Sequence, residues 1–600
     1  MSYQADLNLG VIGNCAYGAL IDQQGRVMWA CMPRFDSDPV FGALLTAQSP
    51  GEPDAHGFWE IEVENLAHCE QRYVKNTAIL VTRMQDDRGR ALDIIDFAPR
   101  FNRAGRRYRP MSMIRMIRPV AGVPRIRVRL RPFFDYGGVT PTVTTGSNHL
   151  RYVGPDMTLR VNTTAPISYV REESWFNLEH ELAFFLGPDE SFTGDIMASC
   201  REMLEATGNY WREWVRTLAV PLEWQDAVIR CAITLKLCYF EETGAIIAAM
   251  TTSLPEAPHS GRTWDYRYCW LRDAYYVVRA LNRLGAVDIL EGYLVYLRNI
   301  VGVADGGHLQ PVFGIGQENK LTERIVKHLP GYRRMGPVRV GNQAHEHLQH
   351  DVYGQVVLSA AQAFFDERLL RPAGRSDFEM LEKVGNRAFE LHDQPDAGIW
   401  ELRTKAHVHT YSSAMCWAAC DRLAKIATHL GLPDRAEIWA DRAATVKRTI
   451  LERGWNPDML SMSATFDEPL MDASLLQLLD LGFVEQDSPV FINTHRAIEK
   501  ALLRGDHVLR YANEDDFGTM ENSFNICTFW YIESLWSVGR KDRAREIFET
   551  MLAHRNHVGL LSEDISFKDG ELWGNYPQTY SLVGIINTAC MLSKPWSHAR

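Results

Sequence analysis

The sequence predicts a two-domain protein in which an antiparallel β-sandwich is followed by a closed toroid of about twelve helices. Up to about residue 205, Gly, Pro, Asn and Asp interrupt short apolar runs about every 8–12 residues, which is typical of an all-β region. Beyond that point apolar residues recur at helical spacing, and no alternating strands separate the helical segments. We therefore place the sandwich at residues 1–205, a partly helical linker at 206–222 and the helical domain at 223–600.

The strands of the first domain are predicted from runs rich in Val, Ile, Tyr and Arg. Ile126, Val128 and Leu130 alternate with arginines, which is the pattern of a half-buried strand. Repeated strands of this kind favour a sandwich. The predicted runs are 78–84, 92–97, 124–132, 157–162 and 180–186.

The helices of the second domain are predicted from apolar positions that share one helical face. Trp224, Val228, Cys231, Leu235 and Tyr239 form the first such face. The other predicted helices are 272–284, 287–301, 350–367, 376–392, 411–430, 434–452, 471–480, 489–504, 523–538, 541–555 and 578–593. A solenoid would show self-similarity at a fixed period, and the sequence has none, so a toroid is favoured.

Charge and composition exclude several classes of partner. The chain has 64 Lys and Arg against 75 Asp and Glu, a net charge of −11, and no basic run interleaved with aromatics, so we expect no nucleic-acid partner. It has no uninterrupted apolar stretch of membrane-spanning length and no Lys or Arg before Arg26, so we expect neither a membrane span nor a secretory signal. The eleven cysteines are scattered singly, which is typical of reduced thiols. We therefore expect a cytoplasmic protein, and a homo-oligomer is compatible with the sequence.

Five long connections between predicted helices are dense in Trp, Tyr, Asp, Glu, Arg and Gly, at 241–271, 302–349, 393–410, 505–522 and 556–577. Connections longer than about 15 residues in a compact domain are usually functional. Aromatic faces that cover sugar rings, with charged groups that hold hydroxyls, are what a carbohydrate site requires. Such loops can also simply pack a domain interface.

Other catalytic templates are absent from the sequence. It contains no phosphate-binding GxxxxGK[ST] motif, no GxSxG and no dinucleotide-binding GxGxxG after a strand. The string His345-Glu346-His347-Leu348-Gln349-His350 departs from HExxH, because position 349 is Gln. We therefore expect no metal and no cofactor, which leaves carboxylates as the catalytic groups.

Glycoside hydrolysis needs two carboxyl groups, one protonated and one ionised. Glu401 follows Trp400, a large apolar side chain able to exclude water, and Glu563 follows the apolar run at 559–561. Two alternatives stay open: Asp564 is a second candidate beside Glu563, and Glu401 could be an ordinary acid in the first turn of a helix.

Six strings, taken together, resemble glycoside hydrolase family 15, the bacterial glucoamylase and trehalase family. They run in the family's order, and the resemblance extends from residue 8 to about residue 592. The strings are CMPRFDSDPVFGALL (31–45), TTSLPEAPHSGRTWDYRYCWLRDA (251–274), GYRRMGPVRVGNQA (331–344), DAGIWELR (396–403), SFNICTFWYIESL (523–535) and LLSEDISFKDGELWGNYPQTYS (560–581).

The resemblance implies a β-sandwich followed by an (α/α)6 barrel, and an exo-acting α-glucosidase that inverts the anomeric centre. It implies that Glu401 is the general acid and Glu563 the general base. Arg272 and Asp273 match the pair that grips the hydroxyls of the non-reducing glucose, although they could also be a structural ion pair. The remaining matched positions around the pocket are Trp264, Asp265, Arg339 and Trp400.

The substrate is predicted to be a small intracellular α-glucoside, with α,α-trehalose first. Ser413 and Leu582 stand where many relatives carry Lys and His, so recognition of the leaving group is expected to differ. Alternatives are a glucoamylase (glucan 1,4-α-glucosidase) and an isomalto- or maltooligosaccharide glucohydrolase. More remote ones are a non-hydrolytic carbohydrate-binding protein and a polysaccharide lyase on the same toroid, which the net negative charge disfavours.

Overall fold

The computed structural model describes residues 5–599. Its N-terminal part contains seventeen strands and two short helices, α1 (Ala43–Thr46) and α2 (Ile167–Arg171). The strands are β1 Leu9–Gly13, β2 Gly18–Asp22, β3 Val27–Cys31, β4 Pro39–Phe41, β5 Phe58–Val63, β6 Leu66–Tyr73, β7 Leu80–Asp86, β8 Ala91–Phe97, β9 Phe101–Arg103, β10 Arg106–Tyr108, β11 Met113–Ala121, β12 Arg125–Arg131, β13 Thr142–Thr145, β14 His149–Val153, β15 Thr158–Thr163, β16 Phe176–Asn177 and β17 Leu182–Pro188.

Two large antiparallel sheets and the two-stranded sheet β9–β10 make up this domain. One has the order β1-β2-β3-β5-β12-β16 with β4 paired to β3, and the other has the order β13-β14-β15-β17-β11-β8-β7-β6. Trp59 of the first sheet packs edge-to-face on Phe184 of the second, with ring centroids 5.9 Å apart. The two sheets therefore share one core, as predicted for a sandwich.

The predicted alternation of β12 is confirmed by its register with β5. Val128 lies opposite Ile61 on the buried face, while Arg127 lies opposite Glu62 on the other face. The guanidinium of Arg127 donates to the Glu62 carboxylate at 2.5 Å, an opposite-charge pair of the kind that stabilises neighbouring strands.

Helix α3, Ile196–Arg216, follows the sandwich and packs against β17 and β9. It begins where the Asp195 side chain accepts a hydrogen bond from the Ala198 N–H. This single helix runs across position 205, where the sequence placed a domain boundary. The division at 205 stays a prediction.

The C-terminal part is a double ring of helices joined by loops and very short strands. The helices are α4 Gln225–Leu237, α5 Leu271–Arg283, α6 Val287–Ala304, α7 Asp351–Ala361, α8 Arg375–Leu391, α9 Thr410–His429, α10 Pro433–Arg453, α11 Gln477–Asp480, α12 Pro489–Leu502, α13 Asn525–Ser537, α14 Lys541–Ala553 and α15 Thr579–Leu592. The strands are β18 Tyr239–Phe240, β19 Ala245–Ile246, β20 Cys269–Trp270, β21 Val312–Phe313, β22 Arg324–Val326, β23 Val338–Val340, β24 Trp455–Asn456, β25 Ser461–Met462, β26 Leu503–Arg504, β27 His507–Val508, β28 Ser523–Phe524, β29 Asp564–Ile565 and β30 Leu572–Trp573.

The inner ring consists of α5, α7, α9, the 3₁₀ turn Ala473–Leu476 with α11, α13 and α15. Each of these elements contacts the next, and α15 contacts α5, so the ring is closed. The outer ring consists of α4, α6, α8, α10, α12 and α14, each packed on one or two inner elements. The predicted toroid is confirmed. The predicted helix 471–480 is divided between the 3₁₀ turn, which begins where Asp472 accepts from the Ser474 N–H, and the short helix α11.

The connections that precede the inner helices gather at one end of the barrel. Trp270, Phe524 and Gln578 are the residues at which α5, α13 and α15 begin. Within residues 5–599 no helix has both the length and the apolar character needed to cross a bilayer.

Candidate active site

All five long connections singled out in the sequence contribute to one cavity at this end of the barrel. Its volume is about 840 Å³ including the open mouth, within the range of small-molecule sites. The lining includes Glu401, Glu563, Arg272, Asp273, Trp264 and Trp400. Six of the eight predicted site residues are thus brought together.

Arg272 and Asp273 lie in the first turn of α5, where the helix directs them into the cavity. The Arg272 guanidinium lies 3.3 Å from Asp273 Oδ2 and donates to the Ile399 carbonyl at 2.8 Å. Apart from this ion pair, Asp273 Oδ2 is buried and accepts no hydrogen bond from the described residues. Burial raises the pKa of Asp273 to about 6. The ion pair holds Asp273 in place, and its Oδ2 atom still has capacity to accept from a sugar hydroxyl.

Glu401 lies on a tight turn whose backbone is left-handed. Its φ is 62°, and its N–H donates to the Gly398 carbonyl at 3.1 Å. The Trp270 indole N–H donates to Glu401 Oε1 at 2.7 Å, and the Arg272 guanidinium lies 3.5 Å from the same oxygen. Glu401 is therefore a turn residue aimed into the cavity, and the alternative of a first-turn helix acid is wrong.

Trp400 does not pack on Glu401 as the sequence suggested. Its indole N–H donates to Asp472 Oδ2 at 2.6 Å, and its ring packs against Phe524 and Trp530. Trp270 takes the place beside Glu401 that the sequence assigned to Trp400.

Glu563 lines the same cavity as Glu401 and is 1% exposed. The Tyr266 hydroxyl donates to Glu563 Oε1 at 2.6 Å. Gly574 is packed against it, with φ at 76°, and a Cβ there would lie 2.6 Å from Glu563 Cβ. Asp564, the alternative candidate, is buried and absent from the lining.

The charges around Glu563 are predominantly negative. Burial raises the pKa of Glu563, and the charge of Glu256 adds to this, while Arg510 and the Tyr266 hydroxyl oppose it. Burial likewise raises the pKa of Asp564. Three buried carboxyls around the Arg510 guanidinium therefore favour retention of a proton in this cluster.

Two aromatic side chains connect the environments of the two glutamates. Tyr266, which donates to Glu563, packs edge-to-face on Trp270, which donates to Glu401, with ring centroids 5.3 Å apart. The two carboxyls thus lie in one cavity, on two separate loops and with fixed donors, and acid and base catalysis of glycoside hydrolysis uses such a pair of carboxyl groups.

The family relationship follows from comparison with known proteins. A model of the glycosyl hydrolases family 15 matches residues 224–590, and a model of a trehalase-like N-terminal domain matches residues 7–168. The chain belongs to glycosyl hydrolase family 15. It is a glycosidase, and a glucoside is its class of substrate.

Curated relatives of this family 15 glycosidase match it over nearly its whole length. A trehalase of Thermoplasma volcanium is 30% identical over 98% of this chain and 93% of its own. A trehalase of Mycobacterium tuberculosis is 30% identical over 95% of this chain and 86% of its own. The crystal structure of a bacterial glucoamylase complexed with acarbose shares the fold, with a TM-score of 0.68, 12% identity, and coverage of 98% of this chain and 94% of that one.

Asp265 and Arg339 of the family 15 glycosidase lie behind the cavity lining. Asp265 is fully buried in a bidentate ion pair with Arg267 and accepts from the Gly341 N–H. Arg339 donates to Glu323 at 2.7 Å, and its guanidinium lies over the Trp264 ring. Direct substrate contact is therefore not supported for either residue, and both position their neighbours.

The two departures from the family pattern, Ser413 and Leu582, do not line the cavity either. Ser413 is on inner helix α9, where its hydroxyl donates to the His392 carbonyl at 2.5 Å, and Leu582 is fully buried on α15. Helix α9 and helix α15 direct these side chains into the packed barrel wall, so any effect on recognition of the leaving group is not by direct contact in this cavity.

Several residues of the site were not found from the sequence. Trp270 and Tyr266 donate hydrogen bonds to the two glutamates across as many as 297 positions of chain, and Arg510 pairs with Glu256, whose charges act on Glu563. Trp270, Tyr266 and Glu256 lie within the quoted string 251–274, which is the only sequence signal that could have indicated them. Among residues 5–599 no group of three or more His, Cys, Asp or Glu side chains is placed to hold a metal.

Proposed function

We propose that this glycosidase is an exo-acting, anomer-inverting α-glucoside hydrolase whose substrate is α,α-trehalose. The observation that carries the proposal is that Glu401 and Glu563 lie in one cavity on separate loops, each with its own hydrogen-bond donor. The relatives that match over nearly the full length, including the N-terminal domain, are named trehalases. All eleven cysteines are free, which supports a cytoplasmic location.

In the proposed mechanism Glu401 donates a proton to the glycosidic oxygen as the C1–O bond breaks. Glu563 accepts a proton from a water molecule, whose oxygen forms the new bond to C1 from the opposite face. Room for that water requires the two carboxyl groups to lie roughly 6.5–9.5 Å apart. Arg272 and Asp273 hold the hydroxyls of the glucose whose bond is cleaved.

The raised pKa of Glu563 has a direct consequence for this assignment. A general base must be ionised, so activity requires a pH above the raised pKa of Glu563 in the free enzyme. The proposal therefore predicts that kcat/KM rises with pH through a value higher than that of an ordinary Glu.

The proposed preference for a disaccharide is supported by the mouth of the cavity. Arg262 forms a bidentate ion pair with Asp515, and Asp516 accepts from the Arg403 N–H at 2.7 Å. These contacts fix the segment 510–518 against residues on two other loops. A mouth of fixed size with oriented polar groups suits a second sugar of defined length better than an extended chain.

A glucose-release panel over trehalose, maltose, isomaltose, maltoheptaose and soluble starch tests the substrate. We expect kcat/KM for trehalose to exceed that for maltoheptaose by at least ~10-fold, about 1.4 kcal/mol of discrimination. Efficient starch digestion without trehalose cleavage would replace the proposal by a glucoamylase. Early-time proton NMR tests the mechanism: inversion of trehalose releases one β-glucose and one α-glucose, whereas retention releases only α-glucose.

The roles of the two carboxyl groups are distinguished by comparing two substrates, one whose leaving group needs a proton and one whose leaving group does not. Glu401→Gln should lose about 10²–10⁴-fold in kcat on trehalose, and much less on α-glucosyl fluoride, because fluoride leaves without a proton. Glu563→Gln should lose activity on both substrates. Glu452→Gln, an exposed substitution on α10, is the control. The opposite pattern would exchange the two roles.

A further inference from the structure

A second cavity lies directly beside the catalytic one. Its volume is about 1080 Å³ including the open mouth. Trp400, Leu402 and Tyr511 line both cavities, so a partition about one side chain thick separates them. The partition includes the residue on each side of Glu401 in the chain.

The partition is held in place from both sides. Asp472 accepts from the Trp400 indole, and Lys405 Nζ donates to the Glu514 carbonyl at 3.1 Å. Asp516 accepts from the backbone N–H groups of Arg403 and Thr404. The second cavity therefore has an ordered wall shared with the catalytic cavity.

The lining of the second cavity has the chemistry of a site for a neutral sugar. Apolar and aromatic surfaces alternate with an amide, two imidazoles and a hydroxyl, which can serve both donors and acceptors of a polyol. The lining contains one lysine and three carboxyl groups. This excess of negative charge disfavours a phosphorylated or otherwise anionic ligand. The residues beyond the partition are Ala397, Lys405, Ala406, His407, His409, Ala464, Thr465, Glu468, Leu470, Met471, Asp472, Asn513 and Glu514.

We propose that this second cavity binds a neutral hexose, for which glucose is the probe, and that its occupant acts on catalysis through Trp400 and Leu402. Because these two residues flank Glu401, a sugar packed on their outer side restricts the turn that carries the acid. Glucose then affects the enzyme in two ways. In the catalytic cavity it competes with substrate and raises the apparent KM, and in the second cavity it changes kcat. The role of glucose as product rests on the proposed function, and the binding itself does not.

Two variants change the second cavity and leave every residue that lines the catalytic cavity unchanged. Ala406→Trp fills the second cavity from an exposed loop position, and Asn513→Ala removes a donor and acceptor from its wall. Ala444→Trp, on the exposed face of outer helix α10, is the matched control for the first. Asn513→Ala adds no bulk, so it tests the site even where the larger side chain disturbs folding.

Equilibrium dialysis with labelled glucose measures the stoichiometry on a Glu401→Gln background. We expect the number of bound glucose molecules per chain to fall by one with Ala406→Trp added and to stay unchanged with Ala444→Trp. Asn513→Ala should weaken the second site about 3–10-fold, the loss of one neutral hydrogen bond. In steady-state kinetics glucose should alter both kcat and KM of the unmodified enzyme and only KM of the Ala406→Trp variant.

A number of bound glucose molecules that Ala406→Trp leaves unchanged, or a glucose effect on kcat that Ala406→Trp leaves unchanged, would overturn the second site. These outcomes are independent of the proposed function, because dialysis counts bound glucose whichever glucoside is cleaved. Failure of trehalose in the substrate panel, together with the loss of one bound glucose in Ala406→Trp, would remove the trehalase proposal and leave the second site standing.

Discussion

Replacing Tyr266 by Phe tests whether Glu563 is the base. The Tyr266 hydroxyl donates to Glu563 Oε1 at 2.6 Å, and Glu563 is almost completely buried. A hydrogen bond donated to a carboxylate is worth about 1.5–3 kcal/mol, and 1.36 kcal/mol corresponds to one pH unit. Its removal should therefore raise the pKa of Glu563 by about one to two pH units.

The sign of the effect follows from the role of the base. Only ionised Glu563 can accept the proton of water, and the Tyr266 hydroxyl stabilises that ionised form. In Tyr266→Phe the acidic limb of kcat/KM should thus move to higher pH by about one to two pH units, and activity below the limb should fall about 10–100-fold. Above the limb the variant should approach the activity of the unmodified enzyme. Initial rates of glucose release across the pH range give both quantities.

The matched control is Tyr531→Phe. Tyr531 on α13 donates to Glu499 Oε1 on α12, also at 2.6 Å, but neither residue lines the catalytic cavity. This variant loses a comparable hydrogen bond, so its acidic limb should stay where it is in the unmodified enzyme. An unmoved limb in Tyr266→Phe, or movement to lower pH, would refute the assignment of Glu563 as the base.

Three further outcomes test the roles of buried polar residues. Asp265→Asn leaves the buried Arg267 guanidinium without its counter-charge, so the free energy of unfolding in urea should fall by about 3–5 kcal/mol. The control is Asp93→Asn, in a partly exposed pair with Arg83, which should lower the free energy of unfolding by less than about 1 kcal/mol. Ser413→Lys buries an unpaired charge in the barrel wall, so the free energy of unfolding should fall by several kcal/mol while the ratio of trehalose to maltose hydrolysis stays the same. A changed ratio would show that position 413 takes part in recognition of the leaving group. Asp273→Asn removes a charge-assisted acceptor, so kcat/KM should fall about 10–150-fold. Its loss of stability should be smaller than that of Asp265→Asn, because Arg272 keeps Glu401 as a second counter-charge. Unchanged kinetics would make the Arg272–Asp273 pair purely structural.

Most of the fold was predictable because its elements follow one simple rule. Inner and outer helices alternate along the chain, and each must bury at least one apolar face, so the 3.6-residue period is visible in every long helix. The segment 471–480 is the exception, since four of its residues form a 3₁₀ turn that a cap at Asp472 initiates. In the sandwich, β12 was predictable because its apolar residues alternate with arginines, and those arginines lie opposite glutamates of the neighbouring strand β5.

The site was predictable only where a residue carries its role within a short string. Glu401 and Glu563 were found in this way, whereas their partners were not, because Trp270 lies 131 positions from Glu401 and Tyr266 lies 297 positions from Glu563. Sequence proximity was misleading for Trp400, which is adjacent to Glu401 but bonds to Asp472. It was misleading again for Ser413, which follows a loop of the site but belongs to a buried helix face.

The position of the cavity also explains how so many carboxyl groups can be buried in one place. Helices α5, α13 and α15 begin at residues of the lining, and the N-terminus of a helix carries about half a positive charge. That field favours the ionised form of nearby carboxylates and opposes the effect of burial. Arg272 and Arg510 add full positive charges on the Glu401 and Glu563 sides respectively. Glu563 has a second buried carboxyl, Asp564, directly beside it, so compensation is weaker on its side of the cavity. The two glutamates are therefore placed in unequal electrostatic surroundings by the fold itself, and those of Glu563 favour its protonated form, so activity is expected only above the raised pKa of this base.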